Sequence, residues 1–180
     1  SIGHVAPVVL SHDHQTAVNR SRRIILEYDA HDPSELLGGD FDRWLEFRFQ
    51  FADQPGSQID AIMWDLHPSS DVVAYPSDLL PSPHLESLQR WHQQGIDWLQ
   101  RVIVETHVRG LEAWWTHRIS EVELSPSGIL EMERLSPLKA EHPDWTVSCW
   151  WWQGMWNLAA PGLRAHKTAL LRELAERYDL

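Results

Sequence analysis

Arg22-Arg23-Ile24-Ile25-Leu26-Glu27-Tyr28-Asp29 decides the fold. Its apolar centre is followed by polar residues, which predicts a buried parallel strand ending near Asp29. Downstream, Ala30 to Asp40 carries Pro33, Gly38 and Gly39 and reads as a loop. Asp40 can then cap a helix in which Phe41, Trp44, Leu45, Arg48 and Phe49 recur at helical spacing, with Pro55-Gly56 ending the segment. Ile59-Asp60-Ala61-Ile62-Met63-Trp64-Asp65 is the second strand. Leu66 to Pro83 is a long loop of the kind that often carries function. A helical pattern from His84 follows (Leu85, Leu88 and Trp91, then Ile96, Leu99, Val102 and Ile103), broken at Gly95 and stopped at Gly110. Leu111-Glu112-Ala113-Trp114-Trp115 is the third strand. Pro161 opens a last helix at its first position, with Leu163, Leu170, Leu171, Leu174 and Tyr178 on one face. Strand and helix alternate three times, which implies an α/β fold with a parallel sheet and helical crossovers.

Upstream, residues 1–21 read as an irregular segment, with Val8-Val9-Leu10 as a short strand and Ser11-His12-Asp13-His14 as a turn. Between the third strand and Pro161, Thr116 to Ala160 holds Pro126, Gly128, Pro137 and Pro143 and shows no clear period. No repeat or linker divides the 180 residues, so one domain, or a piece of one, is expected.

Composition narrows the function classes. The formal net charge is −11, a field that repels phosphate backbones, so nucleic acid is not the expected partner. No run of about 18 apolar residues exists, so no membrane span is expected. Cys149 is the single cysteine, which excludes an internal disulfide and reads as a small buried apolar residue. The chain opens with Ser1 rather than Met, which leaves room for a removed leader; cytoplasmic and exported locations both stay open. Tryptophan is the anomaly, with 11 residues. Indoles offer flat apolar faces edged by a donor, which suits sugar rings as well as large gaps in a core. Most are expected in the core and a minority in a cleft.

Three segments carry a resemblance. Arg23 to Asp29 resembles the opening strand of a family of bacterial glycoside-hydrolase-like barrels. Gly110-Leu111-Glu112-Ala113-Trp114-Trp115-Thr116-His117-Arg118 resembles that family's third strand with its Arg-bearing loop. Asn157-Leu158-Ala159, through Pro161 and on to Glu176-Arg177-Tyr178-Asp179, resembles the helix before its fourth strand. The chain departs from the pattern at Ile119-Ser120-Glu121, where relatives often carry Asn-Asp, and at Tyr28-Asp29-Ala30, where an Asn-Asp-Gly type of turn is commoner. The resemblance implies a (β/α)8 TIM-type barrel. Residues 22–180 would be its first three βα units with long βα loops, cut before strand four. It further implies hydrolysis of glycosidic bonds, with an oligosaccharide or glycan as partner and no cofactor.

Active sites of parallel α/β barrels lie at the carboxyl ends of the strands. The polar residues there are Asp29 after strand one, Asp65 and His67 after strand two, and His117 and Arg118 after strand three. Glycoside hydrolysis needs two carboxyl groups, so Asp29 and Asp65 are the candidate catalytic residues. Both also suit caps or ion pairs on a barrel rim. His67, Trp115, His117, Arg118 and Trp151 are the candidate substrate-binding residues, with Trp150-Trp151-Trp152 and Trp156 as an aromatic platform. A non-catalytic carbohydrate-binding protein would use the aromatic cleft alone. A third reading takes His12-Asp13-His14 as the metal-binding start of an amidohydrolase-like barrel. Unpaired edges of an incomplete barrel lead us to expect self-association.

Overall fold

The computed structural model describes residues 9, 11–28, 39–65, 73, 75–80, 86–117, 119, 137–147 and 155–180, with backbone alone at His14 and Pro137. A helix α1 (His12–Asn19) precedes strand β1 (Ile25–Tyr28). Then come α2 (Phe41–Phe49), β2 (Ala61–Asp65), α3 (Glu86–Gln93), α4 (Trp98–Val108) and β3 (Glu112–Thr116). The chain closes with α5 (Pro137–Glu141), a 3-10 turn, β4 (Thr146–Val147), β5 (Met155–Trp156) and α6 (Pro161–Arg177).

The sheet has the expected order β1-β2-β3, and both pairings are parallel. The register aligns Tyr28 with Trp64 and Trp64 with Trp115. Residues so aligned share a face, and successive residues alternate. Leu26, Tyr28, Ile62, Trp64, Ala113 and Trp115 therefore face one way, and all six belong to the hydrophobic core or pack on it. Against them lie Phe41, Trp44 and Phe49 of α2, Leu88 and Trp91 of α3, Leu99, Val102 and Ile103 of α4, and Leu170 and Leu174 of α6. Each fully buried side chain of this size stabilises by about 1.5–3 kcal/mol relative to exposure. The second face carries Glu27, Met63, Asp65, Glu112, Trp114 and Thr116.

Local chemistry explains the boundaries. Asp40 accepts from the Arg43 N–H at 3.1 Å and caps α2. Asp97 does the same for Gln100 at the start of α4, a cap that the sequence pattern alone did not single out. Gly95 and Gly110 have φ of +76° and +71°, so both helical segments end on the left-handed conformation that glycine adopts without steric cost. Asp60 sets the strand register: its carboxylate accepts from the N–H groups of Arg23 at 2.7 Å and Ile24 at 3.1 Å. Those bonds hold its pKa below the ordinary carboxylate range. On the second face Glu112 takes a forked contact from Arg22, a bond from Arg20 at 2.7 Å and the Trp114 indole N–H at 3.0 Å. The Arg22 guanidinium also lies 5.0 Å from the Trp114 ring centre. The segment ahead of β1 is thereby clamped to the amino end of β3.

Three expectations change. Ser11–His14 is not a turn: the Gln15 N–H bonds to the Ser11 carbonyl, and a helix begins at His12. The described side chains of that helix are all exposed, so it lacks the apolar stripe by which the sequence could have declared it. Leu171 is 44% exposed and leaves the buried face of α6, where Lys167 takes a place between Leu163 and Leu170. The unassigned stretch before Pro161 contains the antiparallel pair β4-β5, with Thr146 opposite Trp156. Of the expected strand at residues 8–10 only Val9 is described, exposed and in no strand, and Cys149 lies outside the described residues.

Candidate functional site at the carboxyl ends of the strands

Parallel strands deliver all their carboxyl ends to one rim, and there Asp65 pairs with Thr116. Asp65 is half-buried and engaged within the protein. The Thr116 hydroxyl is buried with no hydrogen-bond partner among the described residues. Both side chains belong to the second face of the sheet. Trp115 and His117 stand at the same rim on the helix side, with ring centres 5.1 Å apart. The register thus brings Trp115 and His117 together and sends Asp65 to the opposite face. Asp29, His67, Arg118 and Trp151, and with them the Trp150–Trp152 run, lie outside the described residues.

His117 meets α6. The Lys167 ammonium lies 3.4 Å from His117 Nε2. An ammonium has only donors, so Nε2 accepts and the ring proton sits on Nδ1. Burial lowers the His117 pKa to about 4, and the neighbouring Lys167 and His166 push in the same direction. At neutral pH the ring is an uncharged acceptor that orients Lys167. Lys167 is buried, and so is Lys139 of α5. Their ammonium groups lie 5.8 and 5.2 Å from the centre of the buried Trp156 ring. Trp115 Nε1 is buried and has no hydrogen-bond partner among the described residues. The result is a continuous cluster, Trp115–His117–Lys167–Trp156–Lys139, that joins the rim of β3 to α5, β5 and α6.

Sequence reasoning found Trp115, His117 and Trp156 but missed both lysines. The signal was present for Lys167: it sits four residues after Leu163 and three before Leu170, on the apolar stripe of α6. A cation on such a stripe is unusual unless it has company. Lys139 follows Pro137-Leu138 in a stretch with no period, and nothing in the sequence marks it.

The histidines near the N-terminus fall on a helix. His12 and His14 both fall on α1, and the side chain of His14 lies outside the described residues. The His12 and Asp13 side chains are exposed. Among the described residues no group of three His, Cys, Asp or Glu side chains converges to hold a metal ion, and no helix is long and apolar enough to cross a membrane. An open groove of about 470 Å³ lies along α6, between residues 78–79 and Ala169, Arg172, Glu173 and Glu176. Glu173 is committed there, accepting from Tyr75, Ser77 and the Asp78 N–H, so the groove is a structural seam.

Compared with known proteins, the chain matches no family model and no curated protein.

Proposed function

We propose that the chain is part of a carbohydrate-active protein built on a (β/α) barrel, and that it binds a glycan at the carboxyl rim of β3. The observation that carries this reading is the pairing of Trp115 with His117 at that rim. A half-exposed indole offers an apolar face to sugar C–H groups, and an imidazole whose Nε2 accepts from Lys167 keeps an Nδ1–H to donate to a ring hydroxyl. The parallel β1-β2-β3 sheet with helices on one face is compatible with the first units of a TIM-type barrel.

As a hydrolase, the protein would use Asp65 with Asp29 as the carboxyl pair. A purely binding protein is the second reading. It is favoured by one observation: Asp65 shares a face with Thr116 and not with Trp115 and His117. Calorimetric titration of an oligosaccharide panel, together with aryl-glycoside assays, separates the two. Binding that Trp115→Ala weakens, while Trp44→Ala affects only stability, supports glycan recognition. Turnover abolished by Asp65→Asn assigns the chemistry to the rim of β2; binding without turnover assigns the recognition role. No binding to any glycan overturns the proposal.

A further inference from the structure

β1 is an outer strand whose charge pattern is its own complement. β2 lies along its inner side, where the Asp60 N–H donates to the Ile24 carbonyl. Backbone direction alternates along a strand, so Ile25 and Glu27 turn their N–H and C=O groups outward. Among the described residues no strand pairs with that side. Ile24 and Ile25 are 44% and 41% exposed. Arg23 and Glu27 are exposed too, and neither forms a salt bridge among the described residues. Helix α2 lies over β1, with the Tyr28 hydroxyl donating to the Arg48 carbonyl. Phe49 and Asp53 turn to the end of α4, where Arg109 meets both. The Asp53 N–H bonds to the Phe49 carbonyl, so the helical path continues to that point. Phe47 and Phe51 precede these two residues by two each, a spacing that reaches the far side of a helical turn. They are 40% and 56% exposed and flank β1 on the side away from α4.

Two copies of one strand edge pair antiparallel about a two-fold axis. Arg23-Ile24-Ile25-Leu26-Glu27 suits such a pairing with the axis at Ile25. Ile25 then faces the second copy's Ile25, Ile24 faces its Leu26, and Arg23 faces its Glu27. Opposite charges meet at both ends of the join, and apolar side chains meet between them. Ile25, with both backbone groups outward, exchanges two hydrogen bonds with its twin. An axis at Leu26 sets Glu27 against Ile25, and an axis at Glu27 sets two carboxylates against each other, which is destabilising. We propose that the outer edge of β1 receives a second copy of this chain, antiparallel about Ile25, with Phe47 and Phe51 of both copies flanking the join on the helix side. Antiparallel pairing sends the two carboxyl rims to opposite ends, so neither copy completes the other's Trp115–His117 site. The inference therefore goes beyond the glycan reading and does not rest on it.

The test is a charge swap followed by sedimentation equilibrium of the 180-residue chain. Glu27→Lys sets two cations against each other at each end of the join, and Arg23→Glu sets two anions. Each variant alone should dimerise at least about tenfold more weakly than the parent. Their equimolar mixture restores opposite charges at both ends and should form a mixed dimer of near-parent affinity. Circular dichroism confirms that each variant is folded. A second measurement does not depend on charge. Ile25→Cys should give a disulfide-linked dimer on mild oxidation, because twin Cα atoms of a hydrogen-bonded pair stand about 5.5 Å apart. Moving the axis by one residue puts the thiols two residues out of line, too far to bridge. Peptide mapping separates a bridge at position 25 from one at Cys149. The mixed dimer and the bridge at position 25 together support the inference. A parent that stays monomeric at every concentration overturns it, and means that the chain itself covers the edge. Association that neither charge variant weakens, or that gives no bridge at position 25, overturns it in favour of another surface. None of these outcomes bears on the glycan reading.

Discussion

Thr106 shows how much one hydroxyl holds in this protein. It is fully buried on α4, donates to the Val102 carbonyl at 2.6 Å and accepts the Trp64 indole N–H at 3.2 Å. Thr106→Val keeps the shape but strands that N–H in the core, so we expect a loss of about 1–3 kcal/mol in denaturant unfolding. Thr106→Ser should lose less, because the acceptor remains. His117 makes a second prediction at this scale. Its pKa is lowered from the usual 6.5 to about 4 in the folded chain, chiefly by burial. Between those values the unfolded chain binds the extra proton and the folded chain does not. The contribution is complete above about pH 6.5 and is lost as pH falls toward 4, at most about 3 kcal/mol. Carboxylates held low by their partners, such as Asp53 bonded to Arg109 and Glu112 bonded to Arg22, fail at still lower pH, below their ordinary range. Unfolding free energies of His117→Gln should therefore flatten between pH 6.5 and 4 and keep the steeper loss below. An unchanged slope would mean that the ring is solvated.

At the scale of elements, the strands and the helices of the core layer were legible because period and punctuation agreed. Gly95 and Gly110 stop helices, Asp40 caps one, and the apolar centre of each strand falls where the sheet pairs. What failed had no period to read. The described side chains of α1 are exposed, and β4 and β5 have two residues each, too short for alternation to register. The candidate site was half legible for a related reason. Position along the chain locates a strand end, so Asp65 and His117 could be named, but the face depends on a register that alternates with every residue. Gly162 tests one of the illegible pieces. In the first turn of α6 alanine is the better helix former by about 1 kcal/mol. Yet a Cβ at Gly162 would collide with the Trp145 ring, which is stacked on His142 with centres 3.8 Å apart. Gly162→Ala should therefore destabilise, by about 1–3 kcal/mol in thermal or denaturant melts. A stabilised variant would show that the β4-β5 ribbon does not rest on α6. The sheet edges make a further prediction. Among the described residues nothing pairs with the outer sides of β1 and β3. Such edges template association. Sedimentation should show mass rising with concentration, whereas a monomer at every concentration would mean that these edges are covered.

For the molecule as a whole, the middle of the sequence is tied to its C-terminal helix and the residue after it by phenols and carboxylates. The Tyr178 hydroxyl donates to Asp97 at 2.8 Å, and the Tyr75 hydroxyl donates to Glu173 at 2.9 Å. The third tyrosine, Tyr28, donates to the Arg48 carbonyl. Burial raises the pKa of all three above 10, and the acceptor carboxylates add to the shift at Tyr75 and Tyr178. Above pH 10 the unfolded chain releases these protons and the folded chain keeps them, so stability should fall as pH rises. Phenolate absorbance should stay flat through pH 10 and rise only together with the loss of the circular dichroism signal. Free titration near pH 10 in the folded protein would contradict the packing of all three rings. The indoles carry a different consequence. Trp44 lies 5.3 Å from Trp91 and 5.6 Å from Trp98, with the ring planes inclined at 58° and 84°. Chromophores that close and that skewed share their excitations, so the group absorbs as one chiral antenna. Light taken up by any of the three is redistributed among them before it is emitted. The core is therefore its own optical label: a couplet in the ultraviolet dichroism reports side-chain order between α2, α3 and α4, separately from the helical backbone signal.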